Sequence, residues 1–316
     1  MMRDALELFP EQFLFEPKIM NEDTLVRDRP MIICGMGGSH LSADIFALLS
    51  SPGRIRLIHS DYGLPRLSDK EAASCLFVMS SYSGNTEEVL ESYRAARDHG
   101  YAMCAMAVGG KLLELAAADG IPYIQFPSVG IQPRAALGYG VVALGAFAGE
   151  QKNIFSIDTA RARSLGESLA EKLPGRIPLV YASGGNAALA QNWKIKFCEN
   201  TKIPAFWNVI PELNHNEMTG FDAVDATKSV SAQFSVIMLL DVDDHPRNQQ
   251  RMKITRELYE ARNIPVHTIE LWGASRAEKI LNCLLVADWA SVCLGEFYGV
   301  EVEQVPMVEE FKKMIA

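Results

Sequence analysis

The sequence predicts an α/β protein of two doubly wound parallel sheets, each a flavodoxin-like three-layer sandwich with helices on both faces. Three observations carry that prediction. Two apolar stretches run straight into Gly-rich turns: Ile32-Ile33-Cys34-Gly35 into Met36-Gly37-Gly38-Ser39, and Leu179-Val180-Tyr181-Ala182 into Ser183-Gly184-Gly185-Asn186. Each is followed by a strand-helix-strand unit, the alternation that produces parallel sheets covered on both faces. The chain has 316 residues and 48% apolar content, more than one core usually holds and ample for two.

In chain order, Met1-Met2-Arg3-Asp4-Ala5-Leu6-Glu7 alternates acids with hydrophobes as a surface helix does, and it lacks the apolar segment of a signal peptide, so no export is expected. Residues 32–44 read as a buried strand, a Gly-rich turn and a helix start. The turn is not the dinucleotide fingerprint, because His40 holds the position of the third glycine, and it lacks the lysine of a P-loop, which disfavours a nucleotide. Cys75 to Met79 is a strand, Thr86 to His99 a helix and Ala102 to Val108 the next strand. The apolar, glycine-interrupted run from Ala135 to Gly149 reads as a core helix. Between Glu150 and Pro174 it gives way to polar residues and a charged helix, Thr159 to Lys172, so the first domain is set at 1–153 and the second at 154–316. In the second half, Val236 to Asp241, Arg247 to Arg262 and Val266 to Leu271 repeat the strand-helix-strand plan. The stretch from Ile280 to Tyr298 carries Asp288 and Glu296, which suits a core helix better than a bilayer span of roughly 20 apolar residues.

A net charge of -9 argues against a general nucleic-acid or membrane-surface binder, since those partners are anionic. Cys34, Cys75, Cys104, Cys198, Cys283 and Cys293 are scattered without a CxxC pair, mostly in apolar segments. They read as reduced buried thiols, not disulfides or zinc ligands, in a protein of the cytosol.

Chemistry concentrates in Ser80-Ser81-Tyr82-Ser83-Gly84-Asn85-Thr86-Glu87-Glu88, where a strand hands over to a helix. Hydroxyls gathered at unpaired first-turn amides and the positive end of a helix dipole form a natural anion pocket. The plain alternative is a helix cap by Ser83 or Thr86. The turn Gly37-Gly38-Ser39 likewise offers backbone amides, close approach and a hydroxyl. In an open parallel sheet such turns lie at the carboxyl ends of strands, where ligands settle.

These two motifs, Gly35 to Ser39 and Ser81 to Thr86, resemble the sugar-isomerase (SIS) domain, which binds phosphosugars. With Pro133-Arg134-Ala135-Ala136-Leu137-Gly138, Glu199-Asn200-Thr201-Lys202 and Pro211-Glu212-Leu213-Asn214-His215-Asn216-Glu217, the chain from about residue 28 onward is similar to the bifunctional phosphoglucose/phosphomannose isomerases. The resemblance implies that Gly37, Gly38, Ser39, Ser81, Ser83 and Thr86 hold the sugar phosphate. It implies that Glu199 moves the proton between C1 and C2, a task a shielded carboxylate can perform. For an arbitrary glutamate, a surface pair with Lys196 or Lys202 would be the default. Arg134 would stabilise the enediolate with a charge present at any relevant pH; its alternative is an ion pair near a helix start.

His215 would open the sugar ring, as an imidazole titrating near neutrality can; the alternative is a loop histidine bonded to a carbonyl. Its surroundings contain no HExxH zinc motif. Lys312, directly after Phe311 in the short terminal helix expected by resemblance, fits the family lysine better than Lys313. A terminal lysine is otherwise simply solvated or favourable to the helix dipole. The resemblance further implies a homodimer in which His215 reaches the partner's site, with no cofactor, no metal, no nucleic acid and no membrane. It departs at Glu301-Val302-Glu303-Gln304-Val305-Pro306, which lacks the threonine of the bifunctional enzymes. Glucose 6-phosphate is therefore the expected substrate, with mannose 6-phosphate a second candidate. Two rivals are a heptose phosphate isomerase, usually a single domain, and a non-catalytic sensor, usually carrying a basic DNA-binding module that is not visible here.

Overall fold

The computed structural model describes residues 2–150 and 155–315. The chain forms two compact units, one of Leu8–Phe155 and one of Ser156–Ala316 together with Met1–Glu7. The expected boundary at residues 153 and 154 lies outside the described residues. Helix α1 (Met2–Glu7), expected with the first domain, belongs to the second unit.

The first unit contains β1 (Ile19–Met20), β2 (Met31–Gly35), α2 (Gly37–Leu49), β3 (Ile55–His59), α3 (Asp69–Ala73), β4 (Leu76–Ser80), α4 (Glu87–Asp98), β5 (Met103–Ala107), α5 (Gly110–Ala118), β6 (Tyr123–Gln125) and α6 (Leu137–Ala148). Its sheet runs β1-β6-β5-β4-β2-β3. Strands β2, β4 and β5 are buried along their whole length, which is why they read as unbroken apolar runs. Their ladders are parallel, whereas β1 pairs antiparallel with β6 and so departs from the purely parallel expectation. Two residues are too few to show a strand pattern in sequence. The chain steps from β2 to β3 on one side and then to β4 on the other, so the order reverses between β2 and β4. Gly35 pairs with Ser80 across that junction, which sets the Gly-rich turn beside the serine run at the carboxyl edge.

The second unit contains α7 (Thr159–Ala170), β7 (Ile177–Ser183), α8 (Ala187–Lys196), β8 (Phe206–Ile210), α9 (Lys228–Ser231), β9 (Phe234–Leu240), α10 (Pro246–Glu260), β10 (Val266–Glu270), α11 (Arg276–Phe297) and α12 (Pro306–Ile315). Its parallel sheet runs β10-β9-β7-β8 and repeats the reversal, here between β7 and β9. Helix α11 is long and apolar enough to cross a bilayer, but 83% of its most apolar window is buried inside the fold. Helix α1 buries Met2, Ala5 and Leu6. Its Arg3 donates to the Glu296 carboxylate at 2.9 and 2.6 Å and lies 5.5 Å from the Trp289 ring centre. That bond holds the Glu296 carboxyl below its ordinary range. The segment expected to lie on the surface is thus amphipathic, with its apolar face docked.

Candidate active site

In the first unit the serine run is a loop organised by its own hydroxyls. Ser81 is 1% exposed, and its Oγ accepts from the Gly84 and Thr86 amides at 3.1 and 3.4 Å and bonds Thr86 Oγ1 at 2.7 Å. Ser83 Oγ accepts from the Asn85 amide at 3.2 Å. Thr86 occupies the N-cap position of α4 yet makes no side-chain cap bond, so the plain capping alternative is not what its hydroxyl does. The loop closes against the α5 turn: Val108 N donates to Tyr82 O, Leu112 N to Gly84 O and Lys111 N to Asn85 Oδ1. Gly84 has φ 72°, and a Cβ there would sit 1.8 Å from Gly109 O, so only glycine fits.

The Gly-rich turn joins this loop directly. Ser39 Oγ accepts from the Tyr82 amide at 2.9 Å, bridging the ends of β2 and β4. Gly37 has φ 52° and starts α2. A Cβ on Gly38 would come within 2.6 Å of the Pro133 carbonyl carbon, so α2 touches the Pro133–Ala135 turn backbone to side. That turn carries Arg134, only 2% exposed, which excludes a merely solvated arginine. Gln12 fixes the turn, donating to Ala135 O at 2.7 Å and accepting from the Gly138 amide at 2.9 Å. The structure therefore brings together Gly37, Gly38, Ser39, Ser81, Ser83, Thr86 and the Arg134 turn.

Glu199, His215 and Lys312 lie on three separate elements of the second unit. Glu199 is half-buried in a π-helical turn, Phe197–Thr201, that continues α8. Of the two lysines near it in sequence, Lys196 Nζ reaches Asp288 at 2.5 Å and Lys202 Nζ donates to the Glu199 backbone carbonyl at 2.7 Å. His215 ends a short 3₁₀ turn, Glu212–His215, and is exposed. The polar side chains around it are tied down. Asn214 donates to Thr255 at 2.8 Å, Asn216 to Glu212 at 2.8 Å, and Glu217 accepts from Tyr181 at 2.5 Å and Asn208 at 2.6 Å. The imidazole is presented by a braced segment, with no carbonyl partner of the kind the alternative required among the described residues. Lys312 is exposed on α12 and bonds Glu309 at 2.8 Å.

Sequence reasoning missed His40, whose Nδ1 lies 2.7 Å from Asp44 Oδ2 one turn along α2, next to Ser39. The i,i+4 spacing was the available signal. Also missed was the buried Lys196–Asp288 pair, whose partners are 92 residues apart. Among the described residues no group of three or more His, Cys, Asp or Glu could hold a metal ion.

Residues 162–315 match the family model described as the bacterial phospho-glucose isomerase C-terminal SIS domain. A bifunctional phosphoglucose/phosphomannose isomerase of Caldicellulosiruptor bescii is 33% identical over 309 residues, covering 90% of this chain and 89% of the relative. One from Aquifex aeolicus is 29% identical over 295 residues, with 90% and 89% covered. Among solved structures, the C-terminal domain of glucosamine-fructose-6-phosphate aminotransferase from Francisella tularensis superposes with a TM-score of 0.67 over 96% of both chains. At 13% identity that last likeness shows the fold alone.

Proposed function

The chain belongs to the bifunctional phosphoglucose/phosphomannose isomerase family, and on that premise we propose that it interconverts glucose 6-phosphate and fructose 6-phosphate, with mannose 6-phosphate as a second substrate. The observation that carries this reading is the paired turn at the strand reversal, Gly37 to Ser39 bonded to Ser81 to Thr86 through Ser39 and Tyr82. Amides and hydroxyls converging at two helix starts suit a phosphate dianion.

In this reading the phosphate sits on Gly37, Gly38, Ser39, Ser83 and Thr86, with Ser81 chiefly shaping the loop that presents them. Glu199 takes the proton from C2 of the open-chain aldose and returns it to C1. Charge then develops on the O1 and O2 oxygens of the enediolate, where the Arg134 guanidinium offsets it without any change of protonation. Opening the ring requires a proton delivered to the ring oxygen and one removed from the anomeric hydroxyl, which are the roles of His215 and Lys312. The exposure of His215 fits a homodimer in which that histidine serves the second copy. The apolar side chains left uncovered on α12, Met307, Phe311 and Met314, fit the same assembly. Such chemistry runs on side chains alone and asks for no cofactor.

The test is an assay of chelator-treated protein that follows fructose 6-phosphate into glucose 6-phosphate and mannose 6-phosphate separately. Both products are expected. Bound fructose 6-phosphate without turnover would instead establish a sensor, and glucose 6-phosphate alone would tie narrowed specificity to the segment before Pro306.

A further inference from the structure

Helix α8 does not end in an ordinary turn. Phe197–Thr201 closes as one π-helical turn, and Lys202 follows in the left-handed region at φ 58°. Both are uncommon conformations for these residue types, and π turns recur at functional sites. Something must hold them, and one face of α11 does. Lys196 Nζ meets Asp288 Oδ1 at 2.5 Å with both side chains buried. Asn200 Nδ2 donates to Ser291 Oγ at 2.8 Å, and Thr201 Oγ1 donates to the Ser291 carbonyl at 2.8 Å. Ser291 Oγ in turn donates to the Asp288 carbonyl at 3.1 Å. One turn further, Gly295 admits the Asn200 carbonyl, which a Cβ there would approach to 2.7 Å.

Asp288, Ser291 and Gly295 are spaced three and four apart, so they share one stripe of α11. They grip the residues on both sides of Glu199 in sequence. A buried ion pair often stabilises a fold less than packed apolar residues of similar volume would, and in some proteins its role is to fix geometry. The stripe therefore suits orientation better than stability.

We propose that the Asp288, Ser291 and Gly295 stripe of α11, acting with Lys196, is a positioning device that forms the π turn and aims the Glu199 carboxylate at the reacting carbons. This rests on the isomerase reading above. The four residues touch no reacting atom; they act through Glu199. A carboxylate that must reach both C1 and C2 of one substrate tolerates little displacement, and an offset of about 1 Å can lower turnover about 100-fold.

The experiment compares the full chain with Glu199→Gln, Ser291→Ala, Ser291→Thr and the apolar pair Lys196→Met with Asp288→Leu. Each is assayed for kcat and KM on glucose 6-phosphate and for the fraction of deuterium carried from C2 to C1. The brace predicts that Ser291→Ala and the apolar pair lower kcat about 10- to 100-fold with KM within about threefold. They also carry at least about twofold less deuterium, because a displaced carboxylate exchanges its proton with water, and Ser291→Thr restores both readouts. Folded Ser291→Ala with wild-type kcat and wild-type deuterium transfer overturns the brace even if the apolar pair fails to fold. Full activity of Glu199→Gln overturns the role of Glu199 and the brace with it, whereas a dead Glu199→Gln beside an unimpaired Ser291→Ala overturns the brace alone.

Discussion

Single hydroxyls in the serine loop have different duties, and burial separates them. Ser81 is buried and serves three internal bonds, while Ser83 is exposed. Ser81→Ala strands two amides and the Thr86 hydroxyl, so it should destabilise the protein by about 1–3 kcal/mol as well as raise KM. Ser83→Ala should raise KM with the melting temperature unchanged; calorimetry beside steady-state kinetics checks both. Glu199→Gln keeps the side chain's size but removes the proposed base, and should lower kcat by about 100- to 10,000-fold with substrate binding retained. Single-turnover mixing with fructose 6-phosphate measures that loss. Thiols are a quieter case: burial pushes Cys34 up to about 12 and raises Cys104 well above its ordinary value, which leaves both inert.

At the scale of elements, the site depends on close backbone contacts that glycine allows and on helices tied to one another. Gly38→Ala would drive a Cβ into the Pro133 backbone, and neither the start of α2 nor the Arg134 turn can yield without disturbing the other. Loss of activity out of proportion to the change in melting temperature is the expected result. The junction of α8 and α11 can be probed by stability alone. Asp288→Ala leaves the Lys196 ammonium buried without its carboxylate and should cost about 3–5 kcal/mol in urea unfolding, while the apolar pair at 196 and 288 should lie near wild type. Helix α1 is held more weakly, since Arg3 and Glu296 are each 41% exposed. Because Glu296 is depressed in the folded state, its contribution is present above the ordinary glutamate range and fades as pH falls through its folded value. The part of the Arg3→Ala cost owed to Glu296 should therefore be under about 1 kcal/mol at neutral pH and vanish in strong acid, leaving the contact with Trp289.

At the scale of the whole molecule, the proposed homodimer with shared sites predicts a numerical signature. If His215 serves the partner, then mixing Glu199→Gln chains with His215→Ala chains rebuilds one intact site in every mixed dimer. Random exchange should restore about a quarter of wild-type activity from two inactive parents. No recovery after verified subunit exchange would place His215 and Glu199 of one chain in the same site.

Much of the fold was legible because its signals are local. Unbroken apolar runs such as Leu76–Ser80 announce buried parallel strands, and the Gly-rich and serine-rich turns announce strand-to-helix crossings, each within about ten residues. The residues proposed for phosphate were legible for the same reason, since a helix start and its hydroxyls are neighbours in sequence. The two-residue β1, its antiparallel pairing and the attachment of Met2–Glu7 to the second unit were not, because each depends on a partner far along the chain. By itself the sequence determined two α/β units, their strand order of appearance and the turns fit for an anion. Only the tertiary structure decided that Ser39 bonds the Tyr82 amide, that Arg134 is buried against the start of α2, and that Lys196 pairs with Asp288. Those contacts join residues 43 to 96 positions apart, and what selects them is the reversal of strand order and the packing of helices, which no local pattern records.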